Sequence, residues 1–331
     1  MDYAKKAGEI SLDEFSFIQS IKQDTYKQSS LIKGIGDDAA VFRQSSKDIV
    51  VAVDTFVENV HFSKKTTEPN HVGHRVLAAN ISDIAAMGAS PAFYLVSIVI
   101  PKHIPAEEVR EIFTGMRLLA DKYEMDLIGG DTVSGQEMSI SVTVIGYVPQ
   151  AKARYRSAAK EGDIVFVTGT LGDSQAGFHV LNNLEQFQDE AYYINKHQMP
   201  MPQIDFAQRM NSIDRLALND ISDGIGNEAA EIAEASHVTI HLLDDKLPTA
   251  ASYSQFPKEL QDKWKLFGGE DFELVGTVSQ ENWPLVQEAA DSCGVEVTEI
   301  GYVSQFKNNY VYLYVNNEQI PLKKDGYNHL K

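Results

Sequence analysis

The chain has 331 residues, enough for two ordinary domains, and 43% of them are hydrophobic, so a sizeable core can form. A formal net charge of −18 excludes the basic face that nucleic acid requires and disfavours an anionic membrane surface. Acidity of this kind is also ordinary solubility charge and by itself indicates no metal. The single cysteine, Cys293, can form no disulfide within the chain, and the longest apolar run, residues 93–100, is far too short to span a bilayer. Residues 1–8 lack the apolar segment of a signal peptide, and the expectation is a soluble cytoplasmic protein.

In chain order, Ser11 and Glu14 form a capping box ahead of a helix over 15–26. The β-branched run 48–56 predicts a strand, and 69–87 predicts a helix with Val72, Val76, Ala79 and Asp83 at helical spacing. A strand over 93–100, a helix over 105–123 with Glu107 and Glu108 in its first turn, and an alternating strand over 139–148 follow. The short basic stretch 149–160 reads as the boundary between two domains, 1–149 and 150–331. Beyond it, strand 163–168 runs into Gly169-Thr170-Leu171-Gly172-Asp173-Ser174, which opens a helix reaching residue 184. That turn resembles a glycine-rich phosphate loop but lacks the lysine of one. Residues 184–191 read as an exposed loop, 206–211 and 227–236 as helices, and 238–243 as a strand. A Gly268-Gly269-Glu270-Asp271 turn leads into strand 272–277, then come helix 283–293 and strands 295–302 and 309–315. No Gly-x-Gly-x-x-Gly follows a strand, and neither half has a regular βαβ rhythm, so α+β domains are favoured over a doubly wound sheet.

Aspartates recur where an apolar strand or helix meets a glycine-rich turn. They are Asp37 and Asp38 after Gly34-Ile35-Gly36, Asp54 ending the run 49–53, Asp83 in Asn80-Ile81-Ser82-Asp83, and Asp131 after Gly129-Gly130. The theme returns in Asp220-Ile221-Ser222-Asp223-Gly224. Taken singly, each has a plain reading as turn chemistry or a helix cap. Taken together, converging carboxylates repel and lose hydration unless a cation joins them. Hard oxygen donors without a cysteine or histidine cluster point to Mg²⁺, several ions of it, bound with a phosphate substrate. On sequence alone His61, Trp264 and Tyr327 read as packing residues. Cys293 has no evident base partner and reads as inert.

The segments in order resemble thiamine-monophosphate kinase. They are Gly34-Ile35-Gly36-Asp37-Asp38-Ala39, Val53-Asp54-Thr55 through Asn59-Val60-His61-Phe62, Asn80 to Pro91, and Ile128-Gly129-Gly130-Asp131-Thr132. Val167 to Ser174, Ile221-Ser222-Asp223-Gly224, Gly268-Gly269-Glu270-Asp271-Phe272-Glu273-Leu274 and Gly326-Tyr327-Asn328-His329 complete the pattern over nearly the whole chain. The resemblance implies the two-domain α+β fold shared with aminoimidazole ribonucleotide synthetase, with an N-terminal ATP/Mg-binding domain that pairs into a homodimer. It implies transfer of the ATP γ-phosphoryl group to thiamine monophosphate, giving thiamine diphosphate.

Carried over by position, Asp37, Asp38, Asp54, Asp83, Asp131, Asp220 and Asp223 would hold Mg²⁺. Val53 would do so through its carbonyl, because Ala52 and Val53 stand where the family often has a hydroxyl residue. Gly130, Asp131, Arg156 and Ser222 would contact ATP. His61, Asp83, Glu270 and Tyr327 would hold thiamine monophosphate, Glu270 beside a cationic or amino group and Tyr327 stacked on a ring. No covalent catalytic residue is expected. The superfamily relatives that use a cysteine are disfavoured, since none precedes Asp37 and the tail ends His329-Leu330-Lys331.

Overall fold

The computed structural model describes residues 31–33, 40–43, 46–183, 186–316, 318–324 and 326. The helix expected over 15–26, the carboxylates of Asp37 and Asp38, and Tyr327 lie outside them. Two sheets organise the chain. The first contains β1 (Leu31–Lys33), β2 (Ala40–Arg43), β3 (Lys47–Val57), β4 (Ser90–Pro101), β5 (Asp126–Gly135) and β6 (Ser139–Pro149) in the order β1-β2-β3-β6-β4-β5. Its pairings are antiparallel except β4 with β5, which the crossover helix α2 (Ala106–Lys122) joins in parallel. The second sheet contains β7 (Ile164–Thr168), β8 (Leu216–Asp220), β9 (Val238–Leu243), β10 (Leu274–Val278), β11 (Val297–Gln305), β12 (Val311–Val315) and β13 (Glu318–Leu322). Its order is β13-β12-β9-β11-β7-β10-β8.

Period-two patterning sets the faces of the first sheet. In β6, Ile140, Val142, Val144 and Val148 are buried, while Ser141 and Thr143 between them are half-exposed. Helix α1 (Pro69–Ala86) covers the buried face. It is not amphipathic: Val76, Leu77, Ile81 and Ile84 are buried, and so are His74, Arg75, Asn80 and Ser82. A helix buried on all sides lies between two layers. The same apolar cluster runs from Val76, Ile81 and Met87 to Phe166, Phe206, Leu218 and Leu274 of the second half. Helix α1 is therefore the common wall of both halves.

Among the described residues the other α-helices are α3 (Asp173–Asn182), α4 (Glu190–Gln198), α5 (Ile204–Arg209), α6 (Ile225–Ser236), α7 (Lys258–Phe267) and α8 (Trp283–Cys293). Helix α4 begins inside the stretch 184–191 expected to be loop; it buries only Tyr193 and His197, too thin a stripe to give a periodic signal. Gly129, Gly130 and Asp131, read as a turn, lie within strand β5. Gly130 is needed there because a Cβ would stand 1.9 Å from the Val96 carbonyl oxygen.

Helices α1 and α2 meet at two glycines. A Cβ on Gly73 would lie 1.8 Å from the Ile112 carbonyl oxygen, and one on Gly115 would lie 1.8 Å from that of Asn70. Gly115→Ala should force the helices apart and lower unfolding free energy by about 1–3 kcal/mol in urea titration. An unchanged midpoint would contradict the close crossing.

Candidate active site

Three of the expected aspartates meet at the seam between the halves. Alternation along β3 turns Asp54 to the same side as Ala52 and Phe56, toward α1, while Val53 faces the opposite side and is 61% exposed. The Asp54 backbone N–H donates to Asn80 Oδ1 at 3.0 Å, and Asn80 Nδ2 donates to the Val76 carbonyl at 2.9 Å. Asn80 and Asp83 share one face of α1 by their three-residue spacing. The carboxyl groups of Asp54 and Asp83 are hydrogen-bonded to each other. Asp220, at the end of β8, is buried, receives the Ser82 hydroxyl at 2.8 Å, and turns its charge on Asp54. Burial first and the charge of Asp220 second push the Asp54 carboxyl up to about 6, with the Asp83 hydrogen bond opposing them. Below about pH 6 the hydrogen-bonded pair holds a proton; above it the carboxylates repel one another unless a cation joins them. Among the described residues, no three His, Cys, Asp or Glu side chains already stand in metal-ligating geometry.

Ser222 and Asp223 precede α6, whose N-cap position is Gly224 at φ 99°, with no side-chain cap. A Cβ on Gly224 would lie 2.6 Å from Phe267 Cα, so only glycine fits. Glu228, one turn into the helix, reaches back: its Oε1 accepts the Asp223 N–H at 3.0 Å and the Ser222 hydroxyl at 3.3 Å. Its Oε2 accepts Asn219 Nδ2 at 2.6 Å. Burial, then Glu231, Asp223 and Asp220, push the Glu228 carboxyl well up, and Arg156 opposes them. Arg156 donates through Nε to Asn219 Oδ1 at 3.0 Å and pairs with Glu231 at 2.8 Å. Asn219, Glu228 and Glu231 escaped the sequence reading. The one visible signal was an acid in the first turn of the helix after Gly224, where the helix dipole favours it.

A third group joins distant segments. The His61 ring stacks on Phe56, with centroids 5.0 Å apart, and its Nδ1 accepts the Val57 N–H at 3.1 Å, which leaves the proton of the neutral ring on Nε2. Glu270 occupies the left-handed region at φ 67° and donates its N–H to the Ser222 carbonyl at 2.8 Å. Arg75, buried in α1, donates to the His61 carbonyl at 3.0 Å and forms an ion pair with Glu270 at 2.7 Å. The next acid, Asp271, accepts the backbone N–H groups of Gly172 at 2.7 Å and Ser174 at 3.0 Å. Burial and then Asp173 raise the Asp271 carboxyl to about 8, against those donors. The loop that resembled a phosphate cradle thus spends two of its amides on an internal carboxylate. Glu273 continues the pattern, receiving Thr168 Oγ1 and Gln203 Nε2 at 2.8 Å and Lys196 Nζ at 3.1 Å.

Asp131 is exposed on β5, its Oδ1 accepting the Thr132 N–H at 2.9 Å. It is three strand spacings from β3, roughly 14 Å across the sheet. A groove of about 540 Å³ borders the start of β5, lined by Tyr94, Arg110, Phe113, Arg117 and Leu127 among others.

This α+β chain has known counterparts. Residues 36–148 match the AIR synthase related protein, N-terminal domain, and residues 160–313 match its C-terminal domain, so the chain belongs to the AIR synthase related family. It is 44% identical over 329 residues to the thiamine-monophosphate kinase of Bacillus subtilis (strain 168), covering 97% of this chain and 100% of the relative. To that of Escherichia coli (strain K12) it is 34% identical over 301 residues, covering 89% and 91%. A solved structure, AaThiL complexed with AMPPCP and TMP, matches with a TM-score of 0.82 at 30% identity, covering 96% of this chain and 97% of that one. Within the family, the chain falls among the thiamine-monophosphate kinases.

The Asp54 shift has a definite sign. A carboxyl whose folded pKa is raised contributes stability that is present below about pH 4 and lost as pH rises through about 6. In EDTA, the protein should therefore lose on the order of 2–3 kcal/mol over that window from this group. Asp54→Asn should flatten the slope and melt higher than the parent at pH 7.5; a lower melting temperature there would show that the carboxylate is already compensated.

Proposed function

We propose that this protein transfers the γ-phosphoryl group of ATP to thiamine monophosphate by direct in-line, Mg²⁺-assisted displacement, giving thiamine diphosphate in the last step of its biosynthesis. The observation that carries the reading is the convergence of Asp54, Asp83 and Asp220 within the seam that also holds His61 and Glu270. The cluster fits a divalent cation by its chemistry: oxygen donors only, and a shared proton where a cation would relieve repulsion. Asp54, Asp83, Asp220 and Asp223 would hold Mg²⁺, with Asp37, Asp38 and Asp131 and the Val53 carbonyl as further donors. Bound Mg²⁺ supplies neutralisation of the phosphates, so that an anionic acceptor can approach an anionic donor.

The chain's own residues do the rest. Arg156, oriented by Asn219 and Glu231, presents a rigid fork of donors to the triphosphate beside Ser222. Gly130 and Asp131 meet the nucleotide on β5, and the neighbouring groove, with Phe113 and Tyr94 in its wall, suits its base. His61, Glu270 and Tyr327 hold thiamine monophosphate, Glu270 against the cationic thiazolium or the aminopyrimidine. The acceptor phosphate is anionic at neutral pH, so no side chain need remove a proton and no residue carries the phosphoryl group.

The working form is a homodimer through N-terminal domains spanning 1–149, with 150–331 as the second domain. This is supported by β5, an exposed edge strand that displays Leu127, Ile128 and Val133, a surface that pairs readily with another strand. A cytoplasmic location is supported by the single cysteine; among the described residues no helix is long and apolar enough to cross a membrane.

With Mg·ATP, thiamine diphosphate should form from thiamine monophosphate and not from thiamine, and EDTA should abolish it, as followed by chromatography. Asp83→Asn should lose most activity while melting no lower than the parent in EDTA. Phosphoryl label retained on the protein after ATP alone would contradict direct transfer.

A further inference from the structure

The acceptor-site residues His61 and Glu270 come from opposite halves of the chain, and one buried cation touches both. Arg75 has 0% exposure. Its Nη1 donates to the His61 carbonyl at 3.0 Å, its Nη2 lies 2.7 Å from Glu270 Oε1, and its guanidinium carbon sits 5.6 Å from the Phe56 ring on which the His61 imidazole stacks. Stability alone does not explain this arginine. A buried guanidinium is costly to desolvate, and an apolar side chain of similar volume would pack as well or better. Among the described residues, Nε and Nη2 of Arg75 have no hydrogen-bond partner, so its approach to Glu270 is an ion pair without hydrogen-bond geometry. The group it holds is also strained: Glu270 is a non-glycine residue in the left-handed region, a conformation that persists only where its surroundings fix it. Here two contacts fix it, the N–H bond to Ser222 and the Arg75 ion pair.

We propose that Arg75 is the positioning residue of the acceptor site, clamping Glu270 Oε1 and the His61 backbone so that both side chains face one bound thiamine phosphate. The proposal rests on the kinase reading and deepens it. Oε1 faces the Arg75 guanidinium as an ion pair, which leaves Oε2 for the substrate's donor. Because the Glu270 N–H is bonded to Ser222, the same clamp ties the acceptor site to the segment that carries Asp223.

Arg75→Met, which keeps volume and removes charge, should raise KM for thiamine monophosphate on the order of 10–100-fold, the loss of one charge-assisted contact. KM for ATP should move less than about twofold, and Arg75→Lys should fall between the two. A Glu270→Gln/Arg75→Met double variant should be no worse than the poorer single variant, because both remove one unit. All are assayed at a temperature where circular dichroism shows them folded. If both KM values rise together, or the two losses multiply, Arg75 is only an internal staple and the proposal is overturned while the kinase reading stands. A parent protein that makes no thiamine diphosphate overturns the kinase reading and this assignment with it.

Discussion

Mutual repulsion of buried and half-buried carboxylates is the constraint on which the structure turns. Asp54 arrives on a strand, Asp83 on a helix and Asp220 at the end of a strand in the other half, and each lies where solvent cannot fully screen it. Packing brings them together against their own electrostatics, and the raised Asp54 carboxyl records that repulsion. An arrangement of this type trades some stability of the protein for a concentration of negative charge at one place. The acid group around Glu228 repeats the device a short distance along the chain, with Arg156 as its fixed counter-charge.

Helix α1 makes the device possible. A surface helix would present one apolar stripe, but α1 has a layer on each side and carries function on more than one of its faces. Ser82 holds Asp220, Asn80 orients the backbone of Asp54, Asp83 completes the pair, and Arg75 reaches His61 and Glu270. The glycines Gly73 and Gly115 let α2 approach closely enough to keep this helix buried. The loop Gly268 to Glu273 does comparable work from the second half. Successive acids point to α1, to the start of α3 and to Lys196, so the positive φ at Glu270 is held from several directions.

Much of this is legible in the sequence. Strand β3, helix α2, strand β6 and helix α6 follow their hydrophobic periods to within a few residues, because long patterned segments bury one face whatever surrounds them, and helix α1 keeps its expected bounds although it is buried on all sides. Helix α4 was missed, since two buried residues leave no period to detect. The Gly129-Gly130 pair misled in the other direction. Glycine there serves the close approach of β4 rather than a turn, and only the neighbouring strand reveals the difference. The glycine-rich segment 169–174 has phosphate-loop composition, yet two of its amides face Asp271, a residue about a hundred positions away.

By itself, the sequence determined which residues have the chemistry: aspartates beside glycines, a lone His61, a Gly-Gly-Glu-Asp turn, and no cysteine or lysine motif to compete with them. It also determined the α+β character, since strand and helix periods are local properties of the chain. Only the tertiary structure decided which aspartates meet, that Asp131 stands across the sheet from them, and that Arg75, silent in any motif, joins His61 to Glu270. The reason is physical. Periodicity fixes the face a side chain takes, but proximity across more than a hundred residues is set by how layers pack, and a buried charge can be recognised only once its partners are in place.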